Sequence, residues 1–455
     1  MSELKITGLF AGTALILGLL AFLLSPGRIT PEAFSDQGEP FFPMFTDPNQ
    51  ATTLEVVEFD EQSGSARPFK VTFKDGRWTI PSHHDYPADG KDRLAKTAAG
   101  VIDIKKDDYR TNLVSDHEAC GVIDPTDQSA PGLKGRGSRI SLKDKDGGAL
   151  ADFIIGKNVP EREGFRFVRV PGENRVYASR VNLDISTRFT DWIEASLLEV
   201  QAPKIERILL DSYSINERTL SLVPGEKIDL VFTDNVWSTR SLNKGAELDT
   251  SKVRTLARTL QDLTIVGVRP KPAALSAGLK GAGRSLEMTQ EDQYSLQSKG
   301  FYIARQDGRL LSNEGDVKVY SSDGIVYTLR FGEVLYGSGL EVTAGSSEES
   351  RKAGGGQEQA ANRYLFLTCE FDAGYFPQPP KPASMDFQNK PDSALTDFDK
   401  TCKEQHSKYQ QWERKVQAGR DLAARLNARF ADWYYVISED SFKNIHLSRA
   451  ELTKI

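Results

Sequence analysis

The sequence predicts an α+β protein: an N-terminal transmembrane helix, two tandem related modules of mostly antiparallel sheet with a covering helix, and a long helix in the C-terminal region. Three observations carry this reading. They are a charge-free apolar run from Ile6 to Leu24, a series of strand and helix patterns that occurs twice, and an apolar seam at alternating three- and four-residue steps from Tyr409 to Phe430. A chain of 455 residues also exceeds what one core usually organises. The expected boundaries are 1–28 for the anchor, 29–200 for the first module and 201–455 for the second, the last carrying a flexible loop at 334–362 and a helical insertion at about 395–431.

The run ITGLFAGTALILGLLAFLL is as long as a bilayer's hydrocarbon core requires, and Ser25, Pro26 and Gly27 end it. Lys5 precedes it, whereas Glu32, Asp36, Glu39 and Asp47 outnumber Arg28 after it, so the bulk of the chain is expected outside the cytoplasm. A cleaved signal peptide is the competing reading, although no clear small-residue cleavage site follows. Gly8 and Gly12 form one G-x-x-x-G, the spacing that lets a second helix approach closely.

The repeat begins with LEVVEF and VTFKDGRW, ending at Trp78, and recurs as IERILL and LVFTDNVW, ending at Trp237. A helix follows in each copy, started by Asp89 in the first and by Asp249 and Thr250 in the second. SRISLKDKDGGALADFIIGK and DVKVYSSDGIVYTLRFGE then read as matching hairpins, each closed by glycine. Phe73, Trp78, Phe232 and Trp237 are expected in the cores. Later strands, FRFVRV and RVYASRVNLDI, correspond to RYLFLTCEF and WYYVISEDSFKNIHL.

The second copy carries additions. GSGLEVTAGSSEESRKAGGGQEQAAN suits a flexible loop, and the Pro-rich PQPPKPAS leads into the long helix. That helix aligns Tyr409, Trp412, Val416, Gly419, Ala423, Leu426 and Phe430 along one seam, which must lie either on its own domain or on a partner. Tyr409, Trp412, Val416, Leu426 and Phe430 are therefore the partner-binding candidates. Gly419 weakens the helix and could admit a close neighbour.

Chemistry is sparse. Hydrophobic residues make up 39% and the net charge is −6, so nothing points to nucleic acid, which would want a basic face. Cys120, Cys369 and Cys402 are scattered and form no C-x-x-C pair. GLKGAGRS at Gly278 to Ser285 imitates a phosphate loop, but Arg284 stands where the lysine belongs and no apolar strand precedes it. His83, His84 and Asp85 are the only clustered metal-ligand types; neighbouring histidines on an extended segment point apart, so one ion would need a turn, which Pro81 and Pro87 could supply. H-E-x-x-H and G-x-S-x-G are absent. No catalytic residue, metal ligand or cofactor is assigned.

The Trp-ended strand, the PAD or LDT helix start, the strand closed by Ile-Ile-Gly-Lys or Arg-Phe-Gly-Glu, and the closing ADWYYVISEDSFKNI together resemble the bacterial domain-of-unknown-function family 4340, over roughly residues 50 to 340 and the final strand. The resemblance does not extend to the long seam or the Gly/Ser loop. It implies envelope proteins that accompany ABC-type transport systems related to those of gliding motility, as auxiliary components without an established catalytic site. The expected function is thus a non-catalytic accessory protein of the bacterial inner membrane, held in the lipid bilayer by its N-terminal helix and bound to an ABC permease or other envelope proteins. An anchored hydrolase or metal enzyme built on His83, His84 and Asp85 is one alternative. A structural or adhesive tandem-domain protein is another.

Overall fold

The computed structural model describes residues 12–20, 35–61, 64–130, 132–216, 218–219, 221–242, 245–280, 289–304, 308–337, 339–345 and 360–454. Its contacts divide the chain into two compact units, residues 1–69 with 94–185 and residues 70–93 with 186–455.

The expected transmembrane helix is corrected by the structure. No helix among the described residues is long and apolar enough to cross a membrane. Within the apolar run, Gly12–Leu20 are helical, a stretch of nine residues, and at about 1.5 Å per residue it covers roughly half of a hydrocarbon core of about 30 Å. Residues 6–11, with Gly8 of the G-x-x-x-G, and residues 21–24 lie outside the described residues.

Two large sheets, mostly antiparallel, dominate. The first contains β1 (Thr53–Asp60), β2 (Ser65–Lys74), β3 (Arg77–Ile80), β4 (Tyr86–Pro87), β5 (Asp108–Thr111), β6 (Ser138–Lys143), β7 (Ala149–Asn158), β8 (Phe165–Arg169) and β9 (Val176–Arg180), in the order β4-β3-β2-β1-β6-β7-β8-β9-β5. The second contains β10 (Ile205–Asn216), β11 (Ser221–Thr233), β12 (Val236–Thr239), β13 (Gly267–Pro270), β16 (Asp316–Ser321), β17 (Ile325–Gly337), β18 (Ala360–Phe371) and β19 (Trp433–Ser438), in the order β12-β11-β10-β16-β17-β18-β19-β13. Apart from β4, the two orders correspond strand for strand. A separate hairpin of β14 (Phe301–Ile303) and β15 (Leu310–Ser312), preceded by the helix α5 (Gln290–Gln297), belongs to the second unit.

Local chemistry explains the repeated parts. Asp75 and Gly76 turn β2 into β3, and Asp234 and Asn235 turn β11 into β12, all four with positive φ. Those are the backbone angles of a two-residue hairpin turn whose twist matches its strands. The strand-closing glycines answer to close approaches: a Cβ on Gly156 would sit 2.4 Å from the Cys120 carbonyl oxygen, and one on Gly332 would sit 2.0 Å from that of Lys299. Helix α1 (Lys91–Ile102) buries Leu94, Thr97, Ala98 and Val101. A short turn, α2 (His117–Cys120), follows β5. Helix α3 (Thr250–Gln261) buries Val253, Leu256, Ala257 and Leu260, the same helical spacing. Asp249 caps α3 by accepting from the Ser251 and Lys252 amides, whereas Gly90 separates Asp89 from α1.

Other expectations change. Phe73 is 45% exposed and packs against Trp78 across the hairpin, ring centres 5.3 Å apart, while Trp237 is buried. The hairpin outruns the core at Phe73, so alternation alone does not bury it. Part of the expected loop is sheet: Gly337 pairs with Ala360, and α6 (Leu340–Thr343) lies between. Residues 346–359 lie outside the described residues. The closing WYYVISEDSFKNI splits into β19 and α8 (Glu439–Ile445), because Ser438 accepts from the Ser441 amide and caps a helix there.

Candidate functional site

His83 and His84 sit on a tight turn. Pro81–His83 form a single 3-10 turn, and His84 and Asp85 follow at φ of 59° and 57°. The reversal brings both imidazoles to one segment of the second unit. His83 Nδ1 meets Ser82 Oγ at 2.9 Å, and its Nε2 meets Thr343 Oγ1 at 2.9 Å. His84 Nε2 meets the Ala344 carbonyl oxygen at 2.7 Å. The His83 ring is buried and stacks on Phe189 with centres 4.1 Å apart. Burial, then the nearby His84 and Arg269 charges, push the His83 pKa down to about 4. A neutral ring with both nitrogens engaged holds a fold together; it offers no free lone pair for an ion or a proton transfer. Among the described residues, no group of three or more His, Cys, Asp or Glu could hold a metal ion.

The seam helix α7 (Asp397–Ala431) is continuous for 35 residues and starts with a capping box between Thr396 and Asp399. Val416, Leu426 and Phe430 are 4%, 0% and 1% exposed, with Gly419 and Ala423 buried between them, so this half of the seam is closed by the chain's own sheet and helices. The Phe371 ring occupies the notch at Gly419. Toward the N-terminus of α7 the Pro-rich connector returns along the helix. Trp412 Nε1 donates to the Phe376 carbonyl at 2.8 Å, Gln378 donates to the Tyr409 hydroxyl at 3.3 Å, and Lys381 lies 5.4 Å from the Tyr409 ring centre. Phe387 packs by His406 and Lys390 pairs with Asp399 at 2.8 Å. Tyr409, Trp412, Val416, Leu426 and Phe430 are thus all engaged within the chain. A heptad-like pattern records that a helix needs an apolar partner, and here the partner lies nearby in the same sequence.

A cavity of about 270 Å³ lies in the second unit, between α4 (Ala273–Lys280), the β14–β15 hairpin, β17, β18 and the end of α7. Leu275, Leu279, Ile303, Leu310, Phe366 and Phe430 give it apolar walls. Its polar side chains are Arg330, Thr368, Glu370 and Asn427. Arg330 donates through Nε to the Leu310 carbonyl at 3.1 Å and through Nη1 to Thr368 Oγ1 at 3.0 Å. Asp316, its cross-strand neighbour, lies 3.7 Å from Nε. That carboxylate also accepts from the Tyr213 hydroxyl at 2.6 Å and from Ser312 Oγ at 3.3 Å. Burial raises the Asp316 pKa, opposed by Arg330 and the Tyr213 hydrogen bond. Asn427 is committed to the Cys369 backbone, accepting from its amide at 3.0 Å and donating to its carbonyl at 2.6 Å. Nothing in the repeat pattern singles this site out; the one available signal is Arg330 interrupting the apolar strand IVYTLRF opposite Asp316.

Beside the cavity, the buried Lys271 donates to the Phe430 carbonyl at 2.9 Å, with Nζ 3.8 Å from the Phe366 ring centre. It satisfies a carbonyl at the end of α7, where a cation also faces the favourable end of the helix dipole. Burial holds its pKa well below the usual lysine range, against the pull of Asp432. All three cysteines are free and buried, and burial pushes the Cys369 thiol up to about 12. Gly278 to Lys280 end helix α4, and the rest of the phosphate-loop imitation lies outside the described residues.

Residues 78–280 match the family model described as a domain of unknown function (DUF4340). The matched stretch takes in the Trp78 strand, the His83–Asp85 turn, the first closing glycine and α3. It stops before β17, β18 and α7, which carry the cavity and the seam. The description of the family names no activity and no partner. No curated protein and no solved structure matches the chain.

Proposed function

We propose that the chain is a non-catalytic accessory component of an ABC-type transport system, acting by binding partner proteins beside the permease at the cell envelope. What supports the association is the resemblance carried by the motif order, part of which lies in the stretch that the family model matches. The observation that carries the non-catalytic part is the His83 ring, stacked on Phe189 with each nitrogen held by a hydroxyl. Of the candidate acid–base groups, it is the one most firmly committed to structure.

The rival reading, a hydrolase or metal enzyme at His83, His84 and Asp85, is separated by metal analysis of the purified full chain and of a His84→Ala/Asp85→Ala double variant. The accessory reading predicts no stoichiometric metal in either protein after zinc loading and desalting. One zinc per chain in the native protein, lost in the double variant, would overturn it.

A further inference from the structure

We propose that the cavity between α4, β18 and the end of α7 binds one small, uncharged molecule that has an apolar body and a single hydrogen-bond-accepting oxygen. Its size comes from the volume. A cavity of about 150 Å³ accommodates benzene, so 270 Å³ corresponds to about ten non-hydrogen atoms on that scale. Its apolar body follows from the walls, since six aliphatic or aromatic side chains offer contact to carbon.

The polar end is equally specific. Thr368 Oγ1 accepts from Arg330, which leaves its own proton to donate, and among the described residues nothing accepts it. Arg330, also on the lining, is held through Nε and Nη1. The Thr368 hydroxyl is therefore a donor available to one acceptor on the guest. The charge of the guest is set by Asp316, 3.7 Å from Arg330 and already balancing it, and by Glu370 on the lining. A carboxylate guest would meet both negative groups, and the amine beside the cavity, Lys271, is committed to the Phe430 carbonyl with its positive charge disfavoured by burial; an alcohol, ketone or amide oxygen avoids that repulsion.

Isothermal titration calorimetry of the full chain with 1-octanol and with sodium octanoate at pH 7.5 tests this. Saturable 1:1 binding of octanol is expected, with octanoate at least tenfold weaker. Leu279→Trp, which fills the cavity from α4, is expected to abolish octanol binding while leaving the melting midpoint unchanged or higher. Should that variant not fold, Ile303→Trp fills the same space from β14. No saturable binding by the native chain, binding undiminished in a folded cavity-filled variant, or octanoate binding as tightly as octanol would each overturn the proposal.

Discussion

Gly419 offers a direct reading of whether the seam of α7 is closed by the chain itself. A Cβ at this position would lie 2.1 Å from Phe371 Cε2 and 2.4 Å from Cδ2. Restoring an ordinary carbon contact of about 3.5 Å means that ring or helix gives by about 1.5 Å. The ring stacks on Phe376 with centres 6.2 Å apart, which restricts its escape. Alanine gains about 1 kcal/mol of helix propensity over glycine, against an overpacking cost of about 1–3 kcal/mol. Gly419→Ala should therefore destabilise the chain by about 1 kcal/mol. In a Phe371→Ala background the obstruction is gone, and the same substitution should stabilise by about 1 kcal/mol. The resulting coupling of about 2 kcal/mol is read from urea unfolding of the four proteins of the cycle. Stabilisation by about 1 kcal/mol in both backgrounds, with no coupling, would refute the packing of this seam on Phe371.

Other consequences can be checked by similar means. The His83 pKa is about 4 in the fold and about 6.5 in the unfolded chain. The unfolded state thus binds more protons between those values, and the contribution is fully present above pH 6.5, lost as pH falls toward 4, and worth about 3 kcal/mol at most. Urea midpoints measured from pH 7.5 to 4 should show this slope, and His83→Gln should flatten it; an unchanged slope would contradict the neutral, buried ring. Gly332→Ala drives a Cβ to 2.0 Å from the Lys299 carbonyl oxygen, and a loss of about 3 kcal/mol is expected in chemical denaturation. Trp412→Phe removes the indole donor to the Phe376 carbonyl, so about 1 kcal/mol of stability should go, with faster amide exchange in the Pro-rich connector.

Much of the fold is legible in the sequence because its signals are local. Asp75-Gly76 and Asp234-Asn235 declare their turns through residues that accept positive φ, and Asp249 announces α3 through a side chain that reaches amides two and three residues on. What escaped depends on partners far along the chain. Phe73 alternates like a core residue, and only the span of the hairpin relative to the core leaves it exposed. The seam from Tyr409 to Phe430 correctly signals an apolar demand, but the spacing cannot show that β18 and the Pro-rich connector meet it. Hydropathy at Ile6 to Leu24 counts apolar residues without establishing one continuous helix, and the described helical stretch there is short. The His83–His84 turn could be placed from Pro81, while its contacts with Thr343 and Ala344 could not. The cavity arises where β17, β18, α4 and α7 meet, a conjunction that no contiguous motif encodes.

Whether this chain works through transport partners is settled by affinity purification of the tagged full chain from cells solubilised gently enough to keep permeases intact, with the captured proteins identified and quantified by mass spectrometry. An ABC permease and its ATPase should appear together, in amounts comparable to the bait and absent from an untagged control. Their reproducible absence, with bait recovered folded and in quantity, would contradict the assignment.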